Sequence, residues 1–176
     1  MWPHPMDLTT YLRDVPDFPK PGIVFKDISP LLASPEALTH CIDQMAELVG
    51  DSPIDRIAAI ESRGFLFGVP LAMKLNIGVT PIRKPGKLPW RTNKVEYELE
   101  YGTDSLEIHQ DGVESGHNVL LVDDLLATGG TMKAACELVE GLGGVVAGCL
   151  FVVELGFLPG REVLGNHPIH ALVTVD

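Results

Sequence analysis

The sequence has little of what would tie it to an extracellular, membrane or nucleic-acid setting. Its three cysteines, Cys41, Cys136 and Cys149, show no Cys-x-x-Cys spacing and cannot all pair with one another. They read as small buried hydrophobes, not as a disulfide framework or a redox motif. The six histidines form no zinc-like set, because His167 and His170 flank Pro168, which spoils a helical ligand pair. No apolar run reaches the roughly 18 residues a spanning helix needs. The opening stretch, MWPHPMDLTTYLRD, lacks the basic start, long apolar segment and small-residue cleavage site of a secretory signal. A cytoplasmic protein with no membrane partner is expected. Positive charge is also scarce: 13 Lys and Arg stand against 24 Asp and Glu, a net charge of −11. A polyanion partner normally demands a basic surface, so nucleic-acid binding is not expected.

Repeats and low-complexity linkers are missing too. What remains is a chain of 176 residues, 45% hydrophobic and 21% charged, enough for one domain over residues 1–176 with a substantial core. The few cations are unevenly spread. Five of the thirteen (Arg83, Lys84, Lys87, Arg91 and Lys94) fall within twelve residues. In an acidic protein, such a cluster fits the holding of a small, highly charged anion.

Periodicity gives an α/β architecture. Ser34-Pro35 forms a helix start, N-cap followed by proline at the first helical position. Behind it, Leu38, Cys41, Ile42, Met45, Leu48 and Val49 recur at helical spacing up to Gly50. Arg56–Ile60 reads as a buried strand, Gly64–Leu75 as a helix, and Val79–Arg83 and Val119–Asp123 as further strands. Met132–Leu142 reads as a helix leading to a strand over Val145–Glu154. Apolar strands alternating with helices imply a mainly parallel central sheet covered on both faces. Tyr97–Tyr101 and Ser105–His109 alternate like an antiparallel hairpin. In open parallel sheets, ligands bind beyond the carboxyl ends of the strands. Glu61–Gly64, Arg83–Lys87 and Asp123–Thr131 all follow such ends, so they are expected to converge.

The most informative segment is VLLVDDLLATGGT, Val119–Thr131. An apolar strand carries Asp123 and Asp124 at its tip, and Ala127, Thr128, Gly129, Gly130 and Thr131 form a small-residue loop into a helix. Gly129 and Gly130 let backbone N–H groups approach a phosphate closely. Thr128 and Thr131 add hydroxyl donors, and the helix start adds its dipole. Asp123 and Asp124 suit a vicinal diol, or the waters around a metal. Diol plus phosphate reads as a ribose 5-phosphate. The loop lacks the Gly-Lys-Ser/Thr ending of a nucleoside-triphosphate site.

This segment resembles the 5-phosphoribosyl 1-diphosphate signature of the type I phosphoribosyltransferases. Four more stretches carry the resemblance: DFPKPGIVFKDISPLL (Asp17–Leu32), ESRGFLFG (Glu61–Gly68), RKPGKLP (Arg83–Pro89) and YELEYGTDSLEIH (Tyr97–His109). Together they narrow it to the adenine phosphoribosyltransferase branch, from about Asp17 to Arg161. The resemblance implies a type I fold with an N-terminal base-binding hood over residues 1–33 and a flap with hairpin over residues 84–109. It implies the substrates adenine and 5-phosphoribosyl 1-diphosphate, Mg2+ carried by substrate and waters near Asp123 and Asp124 without direct protein ligands, and a homodimer. The implied reaction makes AMP and diphosphate, as in purine salvage.

The implied roles fall on residues whose chemistry fits them. Ser62, Arg63 and Gly64 are implied for the diphosphate, as are Arg83, Lys84 and Lys87 on a loop that closes to exclude water from a reactive sugar cation. Glu100 is implied as the catalytic carboxylate: positive charge grows on the sugar as the bond from C1′ to diphosphate breaks, and a carboxylate stabilises that charge or takes adenine's proton. Val24, Phe25 and Lys26, with Leu126 on the opposite face and Tyr101 beside Glu100, are implied for adenine. Lys26 departs from the family's usual arginine, keeping the charge and losing the planar fork. Two rivals stand beside this reading. A 6-oxo purine would call for a donor such as lysine, and none lies near the end of Val145–Glu154. A non-catalytic regulator would need a nucleic-acid surface, which a pI near 4.8 does not favour.

Overall fold

Ser34 starts the longest helix by accepting a hydrogen bond from the Ala37 N–H at 3.2 Å, with Pro35 occupying the first helical position. The computed structural model describes residues 6–99 and 102–176. A 3₁₀ turn (Leu8–Tyr11) leads into β1 (Arg13–Pro16), β2 (Val24–Asp27), α1 (Ser29–Ala33) and α2 (Pro35–Val49). Then come β3 (Arg56–Ile60), α3 (Gly64–Leu75), β4 (Gly78–Ile82), β5 (Thr92–Leu99) and β6 (Gly102–His109). β7 (Asn118–Leu126), α4 (Gly130–Gly141), β8 (Val145–Leu155), α5 (Gly160–Leu164) and β9 (Ile169–Val175) complete the chain.

The central sheet has five strands in the order β4-β3-β7-β8-β9, every neighbouring pair parallel. Its middle strand is buried on both faces: Val119, Leu121 and Val122 are fully covered and Leu120 almost so. Such a strand needs helices above and below it. One face carries a core that joins Ile57 and Val122 to Met45 of α2 and Phe67 and Leu71 of α3. The other joins Ile60 and Leu121 to Met132, Cys136 and Val139 of α4, and to Leu106 and Ile108 of β6. Chain order reverses between β3 and β7, since β3 leads to β4 on one side and β7 to β8 on the other. That reversal is where parallel sheets open a crevice for ligands.

Two hairpins flank this frame. β5 and β6 pair antiparallel from Thr92↔His109 to Leu99↔Gly102. The hairpin is tied to the end of β4 by reciprocal backbone bonds between Arg83 and Glu107, at 2.9 and 2.8 Å. The second hairpin, β1 with β2, is short and exposed, and cross-strand ion pairs hold it: Arg13 to Asp27 at 2.7 Å and Lys26 to Asp14 at 2.6 Å. No helix of the described residues is long and apolar enough to cross a membrane.

Most expected elements stand where periodicity put them, and β3 and α3 do so to the residue. The central strand differs. It runs on to Leu126, so Asp123 and Asp124 lie within the strand and not at its tip. The physical reason is a partner: Asp124 is 4% exposed and pairs with Arg63, so its charge does not force the strand to end. β4 begins and ends one residue earlier than expected, and the hairpin strands are longer. All three cysteines are buried and free. Cys136 and Cys149 nevertheless face each other at 3.7 Å, a proximity their sequence separation hid.

Candidate active site

The crevice at the β3–β7 reversal is a pocket of about 420 Å³. Glu61, Ser62 and Arg63 reach it from the end of β3, and Lys84 from the end of β4. Asp123, Asp124 and Leu126 of β7 line another wall, together with Ala127, Thr128 and Gly129 of the loop and Thr131 of α4. The three segments expected to converge therefore share one cavity.

The loop is held open by glycine. Gly129 has φ of +86°, a left-handed conformation, and a side chain there would come within 2.8 Å of the Gly160 carbonyl oxygen. Backing from α5 thus fixes the loop, which lines the cavity just before the start of α4. Gly64 plays a matching part at the other wall. A Cβ on it would sit 2.8 Å from the Val122 carbonyl oxygen and 3.1 Å from an Asp123 carboxylate oxygen, so only glycine lets α3 begin this close to the acidic pair.

The acidic pair is asymmetric. Asp124 Oδ2 lies 2.6 Å from Arg63 Nε, while Asp123 Oδ1 accepts the Asp124 backbone N–H at 2.8 Å. Burial first, and then the adjacent Asp124 charge, hold Asp123 well above the usual carboxylate range; the Asp124 N–H and Arg63 oppose this only in part.

The basic segment is paired with carboxylates. Lys87 Nζ donates to Glu61 Oε1 at 2.7 Å, and Arg83 reaches both Glu61 oxygens at 3.3 and 3.4 Å. Lys84 gives its backbone N–H to Glu61 at 2.9 Å and its ammonium to Asp104 and to Tyr97 Oη, the latter at 3.0 Å. Thr131 Oγ1 donates to the same Tyr97 oxygen at 3.4 Å, so Tyr97 links the basic segment to the phosphate-type loop. Sequence reasoning assigns no role to Glu61, Tyr97 or Asp104. The signal available for Glu61 is its place at the end of an apolar strand, directly before Ser62-Arg63.

A second cavity, about 1010 Å³, adjoins the first, and Thr128 lines both. Val24 and Lys26 line it from β2, together with Leu155, Phe157 and Leu158 from the end of β8 and the loop after it. Phe25, between them in β2, turns its ring edge-on to Phe18 at 5.2 Å and lies under the Arg63 guanidinium at 5.8 Å. Leu126, only 2% exposed, lines the smaller pocket, and Gly130 lines the larger. Glu100 and Tyr101 lie outside the described residues.

An acidic pair, a glycine-held loop at a helix start and a wall carrying Arg63 and Lys84 thus meet at the reversal point of a parallel sheet. The phosphoribosyl transferase domain model matches residues 27–156. An adenine phosphoribosyltransferase of Crocosphaera subtropica is 57% identical over 170 residues, covering 96% of this chain and 99% of that protein. Among solved structures, adenine phosphoribosyltransferase from Thermoanaerobacter pseudethanolicus is 52% identical with a TM-score of 0.93, covering 96% of this chain and 98% of that one. The Saccharomyces cerevisiae enzyme, solved with an imino-altritol bisphosphate and adenine, is 44% identical with a TM-score of 0.89, covering 94% and 96%. The chain belongs to the adenine phosphoribosyltransferase family.

Proposed function

We propose that the paired cavities transfer 5-phosphoribosyl from 5-phosphoribosyl 1-diphosphate to adenine, giving AMP and diphosphate. The observation that carries this reading is the meeting at Thr128 of a polar pocket lined by Arg63 and Lys84 with a larger, mainly apolar cavity. Ala127–Thr131 holds the 5′-phosphate through backbone N–H groups and the hydroxyls of Thr128 and Thr131. Asp123 and Asp124 hold the ribose diol, Asp124 steadied by Arg63. Sugar and phosphate so anchored fix C1′ relative to the base.

Ser62, Arg63 and Gly64, with Arg83, Lys84 and Lys87, take the diphosphate. Residues 84–109 act as the flap and residues 1–33 as the hood. Val24, Phe25 and Lys26 receive adenine from β2, with Leu126 across the ring and Tyr101 near Glu100. Adenine's exocyclic amine needs an acceptor, which backbone carbonyl groups supply. Lys26 is also held by Asp14, which fixes its place in the hood beside the larger cavity. Glu100 stabilises the growing charge at C1′ or accepts the proton adenine loses.

Mg2+ fits this site as part of the substrate. Asp124 is committed to Arg63, and Asp123 is buried and accepts the Asp124 backbone N–H, so the pair suits contact through water better than a direct cage. Carried on the diphosphate, Mg2+ would neutralise the leaving group. A homodimer is supported by α3, where exposed Leu66, Val69 and Met73 share one face at helical spacing. Three cysteines without a disulfide framework fit a reducing, cytoplasmic compartment.

Lys87→Ala tests the diphosphate assignment. It is expected to weaken 5-phosphoribosyl 1-diphosphate binding by about tenfold, the scale of one charge-assisted contact, while AMP binding stays as it was. Unchanged affinity in a calorimetric titration would remove Lys87 from the diphosphate site.

A further inference from the structure

Glu61 stands where the diphosphate is assigned to bind, yet it carries the same sign of charge. It lines the smaller pocket beside Ser62 and Arg63. One carboxylate oxygen accepts from Lys87 Nζ at 2.7 Å and from Arg83 at 3.4 Å. The other accepts the Lys84 backbone N–H at 2.9 Å and Arg83 Nε at 3.3 Å. With the side chain only 10% exposed, these donors, and not water, satisfy it. All three residues assigned to the diphosphate from this segment therefore converge on one internal anion. We propose that Glu61 is a positioning residue that acts as a built-in surrogate for the diphosphate: it holds the Arg83–Lys87 segment between turnovers, gives up Lys87 when diphosphate arrives, and takes it back as the product leaves. This rests on the assignment of Arg83, Lys84 and Lys87 to the diphosphate.

The contacts differ in how readily they exchange. Lys87 is half exposed, reaches Glu61 through a single ionic bond, and follows Gly86, whose φ of +75° places the loop in a turn. Its flexible stem lets the ammonium swing to a new anion without moving the backbone. The Lys84 N–H contact is fixed by comparison, because Arg83 beside it is tied to Glu107 through both backbone groups. Burial alone would raise the Glu61 pKa, but the bonds from Lys87, the Lys84 backbone and Arg83 outweigh it and bring it to about 2. Glu61 is thus an anion at any physiological pH, able to compete for Lys87 throughout a turnover. Without it, Arg83 and Lys87 would lose their carboxylate partner between turnovers, and a departing diphosphate would have nothing to replace it there.

Titration calorimetry with inorganic diphosphate on the parent protein, Glu61→Gln, Lys87→Ala and the double variant tests this. Glu61→Gln is expected to bind diphosphate about fivefold tighter, the equivalent of one partly exposed ion pair, and to release it more slowly in stopped flow. AMP affinity should not change, and the gain should vanish in the Lys87→Ala background. Equal or weaker diphosphate binding by a Glu61→Gln protein that still binds AMP would overturn the surrogate role. If Lys87→Ala itself leaves diphosphate binding unchanged, the diphosphate assignment fails as well; if it weakens binding while Glu61→Gln gains nothing, only the surrogate role falls. Should Glu61→Gln not fold, the parent protein still decides. The 13C resonance of the Glu61 carboxylate is expected to move as added diphosphate draws Lys87 away, and a resonance that stays in place overturns the proposal.

Discussion

Gly129→Ala is expected to lower kcat/KM for 5-phosphoribosyl 1-diphosphate by about 10²-fold, the cost of misplacing a bound reactant by about 1 Å. Two effects combine. The φ of +86° at this position disfavours any residue with a Cβ, by about 1–2 kcal/mol. The added methyl would also meet the Gly160 carbonyl oxygen at 2.8 Å and the Val163 Cβ at 3.1 Å. Gly160 and the loop are already in close contact, since a Cβ on Gly160 would itself come 2.5 Å from the Ala127 carbonyl oxygen. The loop and α5 must therefore part, which displaces the N–H groups of the loop. Adenine affinity should change little, since Val24 and Lys26 lie on another hairpin. Steady-state kinetics with 5-phosphoribosyl 1-diphosphate varied at saturating adenine would read this directly, and an unchanged kcat/KM would mean that the phosphate binds elsewhere.

Glu100→Gln is expected to lower kcat by about 10²-fold or more, the range general acid–base groups contribute. The substitution keeps the size and most of the hydrogen bonding of the side chain and removes its charge. Binding of 5-phosphoribosyl 1-diphosphate should survive, because phosphate and diphosphate are assigned to other segments. A kcat close to the parent value would show that another carboxylate serves the sugar cation. Glu98, two residues earlier in the chain, is the first alternative to test.

Where the sequence carried a strong local signal, the elements could be placed closely. The apolar run Arg56–Ile60 and the helix from Gly64 to Leu75 needed only burial and spacing, and α2 needed only Ser34, Pro35 and the closing Gly50. The glycine-held loop before α4 was legible for the same reason: glycines and threonines at the start of a helix are a local pattern. The N-terminal hairpin was not legible. Its strands are four residues each, rich in charge and proline, and joined by the Arg13–Asp27 and Lys26–Asp14 pairs, which no periodicity announces. β9 was missed because its identity comes from parallel pairing with β8, from Cys149↔Ile169 to Leu155↔Val175.

Tertiary partners account for the rest. Asp123-Asp124 looked like the end of a strand because two carboxylates in a row normally seek water. Arg63, delivered by a different strand–helix junction, keeps Asp124 buried and lets the strand continue. The basic run looked like a free anion trap. In the fold Glu61 and Asp104 already pair with Arg83, Lys84 and Lys87, so an anion bound by these three would exchange with internal carboxylates. Sequence spacing lists the cations of a site well; it says much less about what they touch before the substrate arrives.

Diphosphate release from 5-phosphoribosyl 1-diphosphate, followed with adenine, hypoxanthine and guanine offered separately, tests the central claim most directly. Release is expected with adenine alone, because the cavity beside β2 is paired with no lysine at the end of β8 that would donate to a 6-oxo group; Glu154 there is bound to Arg161 at 2.5 and 2.6 Å. Release with guanine or hypoxanthine but not adenine, or with none of the three, would contradict it.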